Sequence, residues 1–295
     1  MKKKSLKDRE RLSYYPIAIL AFVMFTVFFV FPALYSFYFS FTDWTGMSVS
    51  YNFVWFDNFV KVFQDTRLFN AVGFTMLYTV VFMALCMPLS IILAIILTRK
   101  IKFTNGFRFL YFYPAVLAMV TVGLIWSEIF GRGLPALGQA MGIPFLSSNL
   151  LASKVGSVIA VIFVSLWQGV AIPTVLFIAA IQSVPSDLYD AAKIDGATAF
   201  QQFKIVTLPF LIPTLSLNLI RSTRDSLVVF DYIFAITDGG PARATESMGY
   251  LVYNMGTFEM KFGQACAISM VLFAIIGVIS FVIIKVLNKK AVEQQ

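Results

Sequence analysis

The 295-residue chain has no histidine and only two cysteines, Cys86 and Cys266. Both cysteines fall inside apolar runs, where a free thiol behaves as a small hydrophobe. These absences remove disulfide frameworks, zinc sites and His- or Cys-based catalysis from the reading. Charge is scarce as well: 13% of residues are charged and 59% are hydrophobic. Mean hydropathy is +0.82. A soluble domain is roughly 45–50% apolar and 25% charged, so most of this surface has to face lipid. The net charge of +8 would suit a nucleic acid. The basic residues, however, sit in short segments between apolar runs, with no aromatic–basic patch among them, and nucleic acid is set aside as a partner. The chain also lacks a low-complexity segment, an evident internal repeat, a G-x-S-x-G element and a G-x-x-x-x-G-K-[ST] phosphate loop.

What the chain does contain is apolar length. A bilayer core of about 30 Å needs roughly 20 apolar residues per helix. Six segments meet that need: 14–40, 71–97, 109–130, 156–183, 209–232 and 264–287. Gln168 loosens the fourth, and charged residues near its centre loosen the fifth. Pro32, Pro88 and Pro173 lie inside spans, where neighbouring helices can satisfy the freed carbonyls. The first run is too long for the apolar region of a signal peptide and reads as a retained span. Fifteen Lys and Arg residues fall in the N-terminus, 98–108, 184–208 and the C-terminal end; six fall in 42–70, 131–155 and 233–263. The positive-inside rule then puts both termini in the cytoplasm. The expected fold is an all-α polytopic membrane protein of six transmembrane helices, one membrane domain spanning 1–295. Trp44, Tyr51, Trp55 and Tyr253 in the external loops serve either as headgroup anchors or as part of a docking surface.

The connection at 184–209 is far longer than two adjacent spans require, and it is patterned as two short helices. Ser186 is placed to cap the first, with Asp187 and Asp190 favouring the positive end of its dipole. Leu188, Ala191, Ala192 and Asp195 follow helical spacing, and Gly196 ends the helix where a left-handed backbone favours glycine. Thr198 and Gln201 fit a capping box for the second helix, which Leu208-Pro209 is expected to break. The product is a helix–Gly–helix knob on the cytoplasmic side.

This knob resembles the cytoplasmic signature of permease subunits in binding-protein-dependent ABC importers: E-A-A, three residues, Gly, then I-x-L-P. Here the residues are Asp190-Ala191-Ala192, Gly196 and Ile205-Val206-Thr207-Leu208-Pro209. Asp190 stands where glutamate is usual, keeping the charge with one methylene less reach. Ile194-Asp195-Gly196-Ala197 is similar to the carbohydrate-uptake branch. So are Phe230-Asp231, Thr237-Asp238-Gly239-Gly240-Pro241 with Thr245, and Phe262-Gly263. Asp57-Asn58-Phe59 resembles a G-x-x-N-F element, with Trp55 and Phe56 where glycine and a small apolar residue are commoner. The resemblance covers about 14–287. It implies a non-enzymatic permease subunit of a carbohydrate importer in the bacterial cytoplasmic membrane, with no cofactor of its own. It further implies a second, different permease, two cytoplasmic ATP-binding subunits that carry ATP and Mg, and an extracellular solute-binding protein. The ATPase-coupling residues would be Asp190, Ala191, Ala192, Asp195, Gly196, Leu208 and Pro209.

The fifth span holds charges that the resemblance does not assign. At 1.5 Å per residue from Pro209, Arg221 lies about 18 Å and Asp225 about 24 Å along the helix. Charges at that depth cost roughly 2.5–3.5 kcal/mol or more, and face a cavity or a partner. Asn218, Arg221 and Asp225 recur at i, i+3, i+7, which puts them on one face. They either line the translocation path, where they can hydrogen-bond sugar hydroxyls, or form a structural ion pair. A secondary active transporter is the alternative from another class; it would be expected to show repeats or broken helices at the midplane. An intramembrane enzyme lacks its motifs.

Overall fold

The computed structural model describes residues 6–98 and 104–292. The basic residues of 1–5 and 99–103 that help orient the chain, Arg99 included, lie outside the described residues. Among the described residues the backbone is helical apart from its loops and an isolated bridge between Thr42 and Phe53. That is what lipid requires of these apolar runs, since a helix bonds its backbone groups within its own segment.

In chain order, α1 (Leu6–Phe25) passes through a π turn at Thr26–Val30 into α2 (Phe31–Phe39), and α3 (Asp57–Gln64) leads to α4 (Thr66–Thr98). Next come α5 (Thr104–Val116), α6 (Met119–Glu128), α7 (Leu134–Met141), α8 (Lys154–Gly169) and α9 (Ala171–Gln182). The long connection forms α10 (Ser186–Ile194) and α11 (Ala199–Gln202) ahead of α12 (Leu208–Leu227). The chain then continues through α13 (Asp231–Ile236), α14 (Met248–Thr257) and α15 (Phe262–Val292).

Among the described residues, five helices are long and apolar enough to cross a membrane: Tyr15–Phe39, Thr66–Thr98, Lys154–Gln182, Ala199–Leu227 and Phe262–Lys285. The segment expected as a third span, 109–130, is broken instead. α5 carries Pro114 in its interior, and Ala118 before α6 has an extended ψ of 131°. The helix continues through the proline to Val116, and the carbonyls of Pro114 and Leu117 at the break accept from a side chain of another helix, Gln168. The expected fifth span is also displaced. Leu208-Pro209 does not break the helix, because a π turn at Phe203–Thr207 carries α11 into α12. The wider turn accommodates a proline that cannot donate. At its far end, α12 stops at Leu227, and in the turn that follows the Ser247 hydroxyl donates to the Val229 carbonyl at 2.6 Å.

Two compact units result. The first comprises Met1–Asp65 with Val252–Val271. Here the buried Asn58 amide donates to the carbonyls of Ser40 (2.9 Å) and Thr42 (2.7 Å). Trp44 stacks on Phe39 and meets Phe262 edge-on, while the Gly263 N–H donates to the Trp44 carbonyl at 3.0 Å. A Cβ at Gly263 would sit 2.1 Å from the Thr42 oxygen, so this crossing admits only glycine. Asn58 and Gly263 are thus parts of one clamp on the turn after α2.

The second unit comprises Thr66–Leu251 with Leu272–Gln295. α4 packs against α8, α9 and α12, and α6 against α13. Phe177, Val161, Val164, Leu211 and Ile233 are fully buried between them. Arg67 at the start of α4 pairs with Glu246, its Nε lying 2.9 and 3.0 Å from the two carboxylate oxygens. Both side chains are buried.

Candidate functional site

The second unit holds both regions singled out in the sequence. In the 184–209 knob, α10 begins one residue off the expected cap. Pro185, with φ −58° and ψ 133°, occupies the cap position, and Ser186 lies inside the helix. The proline ring fixes the φ that position needs, and the Ser186 hydroxyl turns to the Asp187 carboxylate (3.4 Å) rather than to the backbone.

The end of α10 matches the sequence pattern in detail. Gly196 adopts φ +74°. The Ala197 N–H donates to the Ala192 carbonyl (2.9 Å) and the Gly196 N–H to that of Lys193 (3.0 Å). Those two bonds form a Schellman cap. In α11 the Thr198–Gln201 capping box is present with both reciprocal bonds. The Tyr189 hydroxyl lies 2.8 Å from that of Thr207, which fastens α10 to the π turn; sequence spacing gave no sign of this bond.

Asp190, Ala191, Asp195, Gly196 and Pro209 are exposed, whereas Ala192 and Leu208 are half-buried. Asp190 pairs with Lys193 at 2.9 Å on the open surface. Ile194, Phe200 and Ile205 are 87%, 75% and 66% exposed. The knob therefore presents apolar side chains beside acidic ones on a scaffold fixed by its own caps. Such a surface suits burial by another protein.

The second region is a cavity of about 150 Å³ walled by α4, α8, α12, α13 and the α5–α6 break. Gln168, near the end of α8, organises it. Its Nε2 donates to the carbonyls of Pro114 (2.9 Å) and Leu117 (2.7 Å), and its Oε1 accepts from the Tyr232 hydroxyl (2.9 Å). The glutamine that loosened the fourth span in the sequence satisfies the break in the third. Sequence reasoning missed Gln168, Tyr232 and Tyr78 as wall residues; a glutamine in an otherwise apolar run was the available signal.

Arg221 and Asp225 both line this cavity. The Arg221 Nε lies 3.6 Å from Asp225 Oδ2, with the side chains 51% and 57% exposed. Asn218 does not join them. It is 1% exposed on the packed stripe of α12 with Leu211, Ser222 and Ser226, and its Nδ2 makes no hydrogen bond among the described residues. No group of His, Cys, Asp and Glu suited to hold a metal occurs among the described residues.

The chain matches no protein-family model. It is 44% identical over 272 residues to the multiple sugar-binding transport system permease protein MsmF of Streptococcus mutans, covering 92% of this chain and 93% of that protein. It is 34% identical over 274 residues to the diacetylchitobiose uptake system permease protein NgcF of Streptomyces coelicolor, covering 88% and 76%. Among solved structures, a bacterial alginate ABC transporter in complex with an alginate pentasaccharide-bound periplasmic protein aligns with a TM-score of 0.81 at 19% identity. That alignment covers 98% of this chain and 99% of the other, and it speaks to the fold.

Proposed function

The chain belongs to the sugar-transport permeases of ABC transporters, and from that premise we propose that it is one of two different permease subunits of a carbohydrate importer. Its segments cross the bacterial cytoplasmic membrane six times, with the broken α5–α6 pair as the third crossing and both termini inside. The fifteen-to-six distribution of Lys and Arg supports this orientation. ATP and Mg bind to two partner ATPase subunits, which grip the 184–209 knob. A solute-binding protein delivers sugar to the external loops.

The observation that carries the proposal is the knob itself: an exposed acidic and apolar surface held by a Schellman cap at Gly196 and a capping box at Thr198. Rigid caps suit a part that transmits force. The cavity beside Arg221 and Asp225 is the translocation path in this reading, since both charges face open volume in a membrane protein. Their i,i+4 pairing equally suits a structural role, and charge-removing variants separate the two. Arg221→Gln and Asp225→Asn are expected to leave assembly and ATP hydrolysis intact while altering which sugars enter. Failure to assemble, or normal uptake of every sugar tested, would remove the pathway role.

Coupling is tested by expressing the chain with its partner subunits and measuring copurified ATPase and hydrolysis stimulated by loaded binding protein. Ala192→Arg should insert normally and lose both. Full coupled transport by that variant would overturn the docking role.

A further inference from the structure

In the first unit, α3 presents three different faces. Asn58 and Val62 are buried. Asp57, Lys61 and Gln64 form an exposed polar edge, with the Lys61 ammonium 2.6 Å from the Asp57 carboxylate. Phe56, Phe59, Val60 and Phe63 recur at i, i+3, i+4 and i+7, the spacing of one apolar stripe. Phe59 is half-buried, but Phe56, Val60 and Phe63 are 63%, 51% and 51% exposed. An apolar stripe beside a charged edge calls for a cover other than water.

We infer that α3 lies in the surface of the bilayer, its stripe among the acyl chains, its Asp57–Lys61 edge in water and Trp55 at headgroup level. In the orientation proposed above this is the outer leaflet. The inference rests on Tyr15–Phe39 and Thr66–Thr98 crossing the membrane, not on what the protein carries. Three observations set the level of the helix. The Asn58 amide is bound to the carbonyls of Ser40 and Thr42, where the first span has just ended. Asp65 alone separates α3 from Thr66, and one residue reaches about 3.6 Å, too little to lift the helix off the membrane boundary. The apolar surface is also continuous: Phe37, exposed on the first span, meets Phe41 edge-on at 5.1 Å, and Phe41 meets Phe56 edge-on at 5.4 Å. Trp55 adds a fourth sign. It holds φ +52°, a strained value for a bulky residue, while its side chain is 68% exposed. Burial within the chain does not offset that strain, whereas an indole at the headgroup level gains a partner. Trp44 is already committed, since its Nε1 donates to the Ser48 carbonyl (2.9 Å) and its ring stacks on Phe39. Trp44 therefore packs the fold, and Trp55 anchors it.

The test uses the complete importer in phosphatidylethanolamine–phosphatidylglycerol vesicles, with Cys86→Ala and Cys266→Ala. Val60→Cys, Phe63→Cys, Lys61→Cys and Gln64→Cys, one at a time, carry a nitroxide. Its access to oxygen, which partitions into acyl chains, and to a water-soluble nickel chelate reads its depth. Labels at 60 and 63 should be open to oxygen, closed to nickel and about 5–10 Å below the phosphates; those at 61 and 64 should show the reverse. Nickel access at 60 and 63 overturns the inference, because water then covers the stripe. Exclusion of both reagents there overturns it as well, because a protein, whether binding protein or partner permease, is then the cover. Phe28→Cys, within the first span, is the control: nickel access there removes the membrane placement beneath the inference, a distinct failure. A second measurement needs no cysteine replacement. Lipids brominated near the headgroup end of the acyl chains should quench tryptophan emission of the unmodified importer more than that of Trp55→Phe. Equal quenching overturns the role given to Trp55.

Discussion

The knob at 184–209 and the cavity around Gln168 are both polar devices in an apolar chain, yet they are held together in opposite ways. The knob closes on itself: its caps join residues three to five apart, and the capping Thr198 and Gln201 are exposed. The cavity closes across the fold, with Gln168 reaching partners 51, 54 and 64 residues away. A device built from neighbours is read off a sequence and lost in small steps. One built from distant parts is invisible until the helices pack, and it fails all at once.

Perturbing the long-range bonds should therefore do the most damage. Arg67→Ala would leave Glu246 buried and unpaired, at a cost of about 3–5 kcal/mol. Thermal unfolding of the purified complex should show the loss, and Arg67→Met with Glu246→Leu should recover much of it. A single variant as stable as the unmodified protein would break the contrast. Gln168→Leu should come next, leaving the Leu117 carbonyl and the Tyr232 hydroxyl without this partner while the Pro114 carbonyl keeps the Leu117 N–H, at a cost of about 1–3 kcal/mol.

On the knob the effects should be smaller and local. Gly196→Val forces a β-branched residue to φ +74°, for about 1–3 kcal/mol of strain. Open space surrounds that position, so no clash adds to it. Gly196→Asn should be milder, since asparagine tolerates the left-handed region. Both should insert normally, with the loss appearing in coupled ATP hydrolysis. Thr198→Ala removes one capping partner and should cost about 1 kcal/mol.

The smallest effect is expected in the first unit, at Asp43. The Asn52 N–H donates to its carboxylate at 2.6 Å and the Asn52 amide at 3.1 Å. These bonds hold its pKa below the usual carboxylate value. A lowered folded-state pKa means that the stabilisation is present above the ordinary value and is lost as pH falls through the folded one. Acid titration of loop protection by hydrogen exchange should show this step, and Asp43→Asn should flatten it.

The same contrast explains what could be read in advance. Gly196, Thr198 and Gln201 announced their caps because capping is a rule about residues a few positions apart. Ser186 was misplaced by one position because a proline can hold the cap without a side-chain bond. Pro114 gave no warning that 109–130 would break, since the helix runs through the proline and stops only after it, at Leu117–Ala118. The Pro114 and Leu117 carbonyls at that stop are met by Gln168, on another helix. Helical spacing grouped Asn218 with Arg221 and Asp225, but burial divides them, because α12 turns one edge into the bundle and leaves the next open.

Because the π turn keeps α11 and α12 in one piece, Ala199–Leu227 is a continuous 29-residue helix with a contour of about 43 Å. Leu211 within it is fully buried. Ala199 lies about 18 Å to one side of that point and Arg221 about 15 Å to the other. The polypeptide between the knob and the cavity wall is therefore one continuous helix, with Pro209 inside it rather than in a loop.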